Sequence, residues 1–332
     1  MDLKFKQPDM VKEAARTGGK NIVIEILMFI GVFFVVQMIM SMIFLVPELV
    51  ILLSTTDFLA VVMSGDMQQA IEMEMAVITS EPMMIVQLFL TAVMIVITLL
   101  FCKLLQKRKM RTLGFKKPGM WKEYGIGMLV GLGMMTAIVL VGVALGAMEL
   151  RFNENLLSAG SIMLLVLLFV GFLIQGMSEE VLCRGYFLVS LARKKGNTWL
   201  PIIISSVAFG ALHLANSGIA PLAFVNLILF GIFAGLYFIK RGNIWGIAAI
   251  HSIWNFAQGN IYGILVSGNN FGTTVFTSTI DENMTFINGG DFGLEGGILT
   301  TIVLLGGTLI MMCTKQKDCA ASDESTDSAM AV

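Results

Sequence analysis

Charged residues are scarce in this chain, and their scarcity is the first indication of the environment in which it folds. Only 14% of the 332 residues are Asp, Glu, Lys or Arg, whereas 56% are hydrophobic, and the mean hydropathy is +0.84. Soluble domains carry about 25% charged residues, so long apolar runs with so few charges indicate a membrane protein. The net charge of −1 gives no reason to expect a nucleic-acid partner.

The sequence also lacks paired cysteines and the features of a cleavable secretory signal peptide. The four cysteines form no CxxC pair, and Cys102, Cys183 and Cys313 fall in apolar segments, where packed thiols are expected. The first apolar run covers 22–46, which is longer than the apolar part of a secretory signal, and no small-residue cleavage site follows it. We therefore predict that this run is a retained spanning helix.

Apolar segments of spanning length occur eight times. A helix needs about 20 apolar residues to cross the hydrocarbon core, and lipid offers no partner for free backbone groups, so strands are not expected in these segments. The sequence therefore predicts an all-α polytopic membrane bundle of about eight transmembrane helices. The segments are 22–46, 83–105, 124–148, 161–191, 199–215, 221–239, 243–266 and 296–314.

Basic residues are absent from the two longest loops, and this absence predicts the orientation. Twenty of the 22 Lys and Arg residues fall in 4–20, 103–122, 193–195, 240–241 and 315–317, which eight helices place on one side. The loops 47–82 and 267–295 on the other side are acidic and contain neither Lys nor Arg. Because cytoplasmic loops collect basic residues, we expect both termini in the cytoplasm.

The same arguments divide the chain into five parts. The predicted parts are a cytoplasmic segment 1–21, two N-terminal helices with their loops 22–119, a core 120–266, an outer loop 267–295, and a final helix with a short tail 296–332. The tail from Asp318 onwards is polar and is expected to be disordered. The spacings Gly127-xxx-Gly131 and Gly231-xxx-Gly235 predict close contact between helices.

Polar side chains are concentrated in three of the apolar segments. A charged side chain at the centre of a membrane helix costs about 2.5–3.5 kcal/mol or more, so it usually has a partner or a function. Both histidines of the chain belong to this group. Its members are Glu179, Glu180, Arg184, His213, Asn216, His251 and Asn255.

Helical spacing predicts which of these residues meet. Residues four apart share a helix face, so Glu180 can pair with Arg184, and His251 can pair with Asn255. Two adjacent carboxylates in an apolar setting do not both ionise readily. Since Arg184 can neutralise Glu180, Glu179 is left as the chemically available carboxylate.

Counting residues from the predicted cytoplasmic helix ends gives similar depths for the three segments. At the rise of an α-helix, Glu179 lies roughly 15–20 Å in, His213 roughly 20 Å and His251 roughly 12–15 Å. The residues are therefore expected to converge on one site, which we expect to open to the cytoplasmic half of the membrane.

Other interpretations of these residues stay open at this level. The Glu180–Arg184 pair is equally compatible with a structural role, and a membrane histidine often serves as a hydrogen-bond donor between helices. Asn216 precedes Ser217-Gly218 and could cap the end of the fifth helix. Ionisable residues at mid-membrane also occur in transporters and channels, and a non-catalytic membrane scaffold is a further alternative.

The ordered motifs Glu-Glu-x-x-x-Arg, Phe-x-x-x-His and His-x-x-x-Asn resemble those of the CPBP family. They are carried by Glu179 to Arg184, Phe209 to His213 and His251 to Asn255, and the resemblance covers roughly 120–265. The family includes type II CAAX prenyl endopeptidases and the bacteriocin-processing or immunity proteins of the Abi family. The resemblance implies an intramembrane endopeptidase that acts on a membrane-associated protein or peptide, in a multi-pass protein of the bacterial cell membrane.

The resemblance also implies roles for individual residues. Glu179 would be the general base, supported by Glu180 and Arg184, and His213 would help it to activate water. His251 and Asn255 would stabilise the oxyanion. Whether the substrate is prenylated is left open.

The sequence does not decide whether a metal takes part. Two histidines and one glutamate are a known catalytic zinc set, so Glu179, His213 and His251 are the ligands of a zinc-dependent alternative. The HExxH motif is absent, and Arg184 adds positive charge nearby. We therefore favour metal-free catalysis without a cofactor.

Overall fold

The computed structural model describes residues 6–55, 57–193 and 199–316. Lys4, Lys194, Lys195, Lys317, Cys319 and the predicted disordered tail from Asp318 lie outside the described residues.

Helices dominate the described part of the chain, as the apolar runs predict. The first half contains α1 (Asp9–Ala15), α2 (Ile22–Thr55), α3 (Phe58–Ser64), α4 (Met67–Ile78), α5 (Glu81–Leu90), α6 (Ala92–Leu100) and α7 (Met120–Ala144). The second half contains α8 (Ala159–Glu180), α9 (Val189–Ala192), α10 (Trp199–Leu212), α11 (Pro221–Arg241), α12 (Trp245–Phe256), α13 (Thr285–Asn288) and α14 (Ile298–Cys313).

Each of the eight predicted segments is helical. Within the described ranges, five helical stretches are long and apolar enough to cross a membrane, and α10 and α14 are shorter apolar helices. Two of the long stretches, Glu81–Leu105 and Ala159–Ala192, join neighbouring helices end to end. The protein is therefore a multi-pass integral membrane protein.

Some helix boundaries differ from those predicted. The first helix continues through Pro47 to Thr55, so much of the predicted loop 47–82 is helical in α2, α3 and α4. The third predicted helix, α7, ends at Ala144, just before Gly146, whose φ of 73° does not continue a helix, and Met148 then begins a strand. This strand, β1 (Met148–Phe152), pairs antiparallel with β2 (Phe276–Ile280), which lies in the predicted outer loop.

The loops gather at two opposite ends of the bundle. The basic end consists of 106–119, 193, 241–244 and 314–316, and ion pairs join Arg193 to Glu25 and Arg241 to Glu123 there, both at 2.7 Å. The acidic end consists of 57–80, 145–158, 213–220 and 262–297, and includes the strand pair. The ends agree with the predicted alternation of the helices, and their assignment to cytoplasm and exterior stays a prediction.

Helix α12 lies in the middle of the bundle, and glycines let its neighbours approach it closely. Every residue from Gly246 to Phe256 is buried. On α7, a Cβ at Gly127 would lie 2.2 Å from the carbonyl oxygen of Gly246, and one at Gly131 would lie 2.6 Å from that of Ile250. The predicted packing role of this glycine pair is confirmed. Gly231 of α11 likewise contacts Ser206 of α10.

Candidate active site

The first polar motif lies where α8 changes its winding. Glu180 is the last residue of α8, and Val181–Leu188 continues it as a π-helix. Such short π segments occur often at functional sites. Arg108, from the basic end, donates to the carbonyl oxygens of Gly185 at 2.9 Å and Tyr186 at 3.2 Å, so a loop side chain stabilises the altered winding.

Glu180 lies at the centre of a fully buried network. Its Oε1 accepts a hydrogen bond from Arg184 Nη1 at 2.7 Å and another from His251 Nδ1 at 2.8 Å. The Glu180 and Arg184 side chains are both 0% exposed, and the guanidinium carbon lies 4.6 Å from the centre of the Phe209 ring. The predicted pairing of Glu180 with Arg184 is confirmed, and it extends to the third motif through His251.

Glu179 is oriented by a residue that the sequence arguments missed. Gln175, one turn earlier on α8, donates from Nε2 to Glu179 Oε1 at 2.6 Å. Asn255 donates in turn to Gln175 Oε1 at 3.0 Å. The signal for Gln175 was its position four residues before Glu179 in an otherwise apolar stretch, which places both side chains on one face.

Both histidines direct a ring nitrogen towards Glu179. His213 Nε2 lies 3.9 Å from Glu179 Oε2, and His251 Nε2 lies 3.7 Å from the same oxygen. The Nδ1 of His213 donates to the carbonyl oxygen of Phe209 at 2.9 Å, because a carbonyl can only accept. Glu179 Oε2 is buried and makes no hydrogen bond to another described residue. The predicted convergence of the three helices is therefore confirmed.

Two expectations about the asparagines need correction. His251 and Asn255 were expected to pair because they lie four residues apart, yet Asn255 donates to Gln175 and His251 Nδ1 bonds to Glu180. Their joint role at the oxyanion stays a prediction. Asn216 was a candidate cap for α10, yet its Nδ2 donates to the carbonyl oxygen of Ser267 at 3.2 Å. Asn216 thus ties the end of α10 to the acidic-end loop, a contact that helical spacing cannot predict.

The polar residues line a cavity of about 270 Å³ between the helices. Among the described residues, every loop residue in its wall belongs to the acidic end, including Ser267, Asn269 and Glu295. At this end of the cavity, α10 ends at Leu212 and loop residues continue the wall beyond it. The expectation that the site opens to the half with the basic loops stays a prediction.

Glu295 is a third carboxylate at this cavity, and no sequence motif indicates it. Its Oε2 accepts hydrogen bonds from Ser267 N at 2.8 Å and Ser267 Oγ at 2.7 Å. Asn226 of α11 holds its backbone carbonyl at 2.8 Å. Burial raises the pKa of the Glu295 carboxyl above its ordinary value, and the hydrogen bonds from Ser267 counteract part of this shift.

Removing the Glu295 side chain should loosen the wall of the cavity. We expect Glu295→Ala to lower the free energy of unfolding by about 1.5–3 kcal/mol, since Ser267 loses a charged acceptor. Glu295→Gln keeps an acceptor oxygen and should lose less. Unfolding of the purified protein measures both changes, with Glu282→Ala, an exposed residue of the same segment, as the control. Equal stability of all three variants would show that the Ser267 contact contributes nothing.

Carboxylate oxygen and imidazole nitrogen, the donor atoms of Glu179, His213 and His251, are both common zinc ligands. The distances between these atoms can be compared with those in a zinc site. Tetrahedral ligands at about 2.0–2.1 Å from zinc lie about 3.4 Å from one another, whereas the two nitrogens lie 3.7 and 3.9 Å from Glu179 Oε2. Across the described ranges, no group of three or more His, Cys, Asp or Glu side chains is arranged to hold a metal ion. His213, His251 and Glu179 would be the ligands if these distances closed by a few tenths of an ångström.

Comparison with known proteins agrees with the motifs over part of the chain. Residues 160–257 match the family model of the type II CAAX prenyl endopeptidase Rce1-like proteins. The match contains all three motifs and confirms the resemblance over this segment, which is shorter than the predicted 120–265. No curated protein and no solved structure matches the chain. This segment is thus similar to a protease family, while Gln37, Ser267 and Glu295 of the cavity wall lie outside the match.

Proposed function

We propose that this protein is an intramembrane endopeptidase that hydrolyses a peptide bond of a membrane-associated protein or peptide with a water activated by Glu179. The observation that carries the proposal is the approach of two histidine nitrogens from separate helices, at 3.7 and 3.9 Å, to one buried carboxylate oxygen. The family match at 160–257 supports the same reaction class. A bacterial cell membrane is the proposed location.

Glu179 is arranged to act as the general base. The hydrogen bond from Gln175 fixes its Oε1, so Oε2 faces the two histidines and can accept a proton from water. Neutral His213, with its proton on Nδ1 towards Phe209, presents Nε2 as an acceptor and can take the second hydrogen bond of that water. A base held within hydrogen-bond reach of the water it deprotonates typically contributes about 10²–10⁴-fold to the rate.

His251 and Asn255 are the proposed oxyanion donors. The Nδ1 of His251 is occupied by Glu180, so the ring donates from Nε2 only when it carries both protons. Asn255 uses one amide hydrogen on Gln175 and has a second one to offer. Preorganised donors of this kind stabilise the negative charge that develops on the carbonyl oxygen. Glu180 and Arg184 act as positioning residues behind His251.

Cells that carry the native protein or Glu179→Gln provide the test of this function. Comparison of the peptide termini in their membrane proteomes should reveal precursors that stay uncut only in the variant, with Glu154→Gln, an exposed glutamate, as the control. Identical termini in all three, with the cellular phenotype retained by Glu179→Gln, would reject the peptidase. A phenotype that followed ion flux instead would favour a transporter.

Metal dependence is a separate prediction. Because the favoured mechanism uses only side chains and water, we expect cleavage by the purified protein to persist after exhaustive dialysis against a zinc chelator. Elemental analysis of the same sample should find no stoichiometric zinc. Loss of cleavage on chelation, restored by added zinc, would favour the zinc-dependent alternative with Glu179, His213 and His251 as ligands.

A further inference from the structure

A second cavity adjoins the catalytic one at the acidic end. It has a volume of about 520 Å³ and lies between α2, α4 and α5. The two cavities share Gln37, Met40 and Gln87 in their walls, so a chain lying in one can continue into the other. We call the second cavity the Glu48 groove, after the most buried carboxylate in its wall.

Two carboxylates face the Glu48 groove without a counter-charge. Glu48 of α2 is only 8% exposed, and Glu74 of α4 lies close enough to repel it. Neither side chain makes a hydrogen bond or an ion pair with another residue in the described part of the chain. Glu74 is half-buried, and the rest of the wall is mostly apolar. A positive charge in the groove would therefore be attracted by both carboxylates.

The acidic end of the protein has almost no basic residue of its own to supply that charge. The segments 47–82 and 267–295 contain no Lys or Arg. Arg151 is on this end, but it is 79% exposed and lies 3.4 Å from Glu149. A counter-charge for Glu48 and Glu74 would therefore come from another molecule.

The position of Glu48 suits a charged group at a membrane surface. It is the 27th residue of α2, about 39 Å along the helix from Ile22, whereas the hydrocarbon core is about 30 Å thick. Glu48 therefore lies outside the hydrocarbon core, where a basic side chain bound to it would stay hydrated. Gln37, in the shared wall, lies 11 residues nearer to the start of α2.

We propose that the Glu48 groove binds a Lys or Arg side chain of the substrate peptide while the scissile bond lies at Glu179. The proposal rests on the proposed function and names its substrate class, a membrane-associated peptide with a basic residue on the acidic-end side of the cleaved bond. The step of 11 residues from Gln37 to Glu48 corresponds to about 16 Å of helix. An extended peptide covers that distance with about five residues.

A substrate side chain fits the groove better than a metal ion does. Calcium takes 6–8 oxygen ligands, whereas the groove offers two carboxylates, two glutamines and one serine among mostly apolar side chains. The direct continuity with the catalytic cavity also favours a group that belongs to the substrate.

Peptide binding to full-length Glu179→Gln protein in neutral lipid nanodiscs tests the proposal without requiring cleavage. The probes are apolar membrane peptides that carry one lysine at successive positions, each paired with the same peptide bearing glutamine there. We expect the best lysine peptide to bind at least tenfold more tightly than its glutamine partner. The preference should disappear when Glu48→Gln or Glu74→Gln is added.

Glu72→Gln is the matched control, because Glu72 is exposed on the same helix as Glu74 and lies outside the groove wall. It should keep the lysine preference. Equal affinities for lysine and glutamine peptides, or a preference that survives both Glu48→Gln and Glu74→Gln, would overturn the proposal. So would stoichiometric Ca²⁺ binding that depends on Glu48, which would assign the groove to a metal ion.

Failure of the proposed function can be told apart from failure of this inference. The same peptides are incubated with protein that retains Glu179. Lysine-dependent binding without cleavage of any peptide would reject the peptidase and keep the groove as a cation site. Cleavage that requires Glu179 but ignores the lysine would keep the peptidase and reject the groove.

Discussion

Glu179→Gln is expected to lower the rate of peptide cleavage by about 10²–10⁴-fold and to leave the fold intact. The amide is nearly the same size as the carboxylate and can still accept the hydrogen bond from Gln175, which holds Oε1 at 2.6 Å. It cannot take a proton from water, so only the chemical step should be lost. Cleavage of a membrane peptide by the purified protein measures the rate, and thermal unfolding checks the fold.

A series at this position separates basicity from shape. Glu179→Asp keeps a carboxylate but withdraws it by one methylene from His213 and His251, so we expect a smaller loss of rate than with glutamine. Glu154→Gln should cleave at the native rate, because its side chain is exposed and lies outside the cavity wall. Native activity in Glu179→Gln would remove Glu179 from the mechanism and leave the cluster without a base.

Arg184→Met should destabilise the protein by about 3–5 kcal/mol, the usual cost of removing one partner from a buried ion pair. Arg184 and Glu180 are both 0% exposed, and the loss would leave the Glu180 carboxylate with His251 as its hydrogen-bonded partner. The contact of the guanidinium with the Phe209 ring would also be lost. Unfolding by heat or denaturant measures the change.

The double variant Arg184→Met, Glu180→Gln distinguishes an unpaired charge from lost packing. With the carboxylate removed, much of the stability should return, since His251 can still donate to the amide oxygen. Arg241→Met is the control, because Arg241 pairs with Glu123 at the basic end but is 29% exposed, and a pair that reaches solvent contributes less. If Arg184→Met unfolds no more readily than Arg241→Met, the buried pair does not stabilise the site.

The lengths of the apolar runs predicted which segments form membrane helices. These eight segments are helical because lipid offers the backbone no other hydrogen-bond partner, and the apolar composition of each run shows that it faces lipid. The pairs Glu180–Arg184 and Gly127–Gly131 followed from helical spacing alone. These features need no knowledge of the contacts between distant segments.

Features that depend on distant contacts could not be predicted in this way. The π-helix at Val181–Leu188 is held by Arg108, which is more than 70 residues earlier in the chain. Glu295 reaches the cavity because Asn226 holds its backbone, and Asn216 meets Ser267 only after the acidic-end loop has folded inward. Local periodicity contains no signal for such contacts. Gln175 differs from these residues, because its position four residues before Glu179 is visible in the sequence and places both side chains on one helix face.

The placement of Glu295 has a consequence for the order in which the protein becomes complete during synthesis. The ribosome delivers Glu179, His213 and His251 before it delivers Glu295, which joins the wall of the cavity only with the start of α14. A nascent chain that has inserted α12 therefore holds its reactive side chains in a cavity with one wall unfinished. Because α14 also packs against α11, insertion of this last helix is the event that finishes the enclosure, and maturation of the site is tied to completion of the chain.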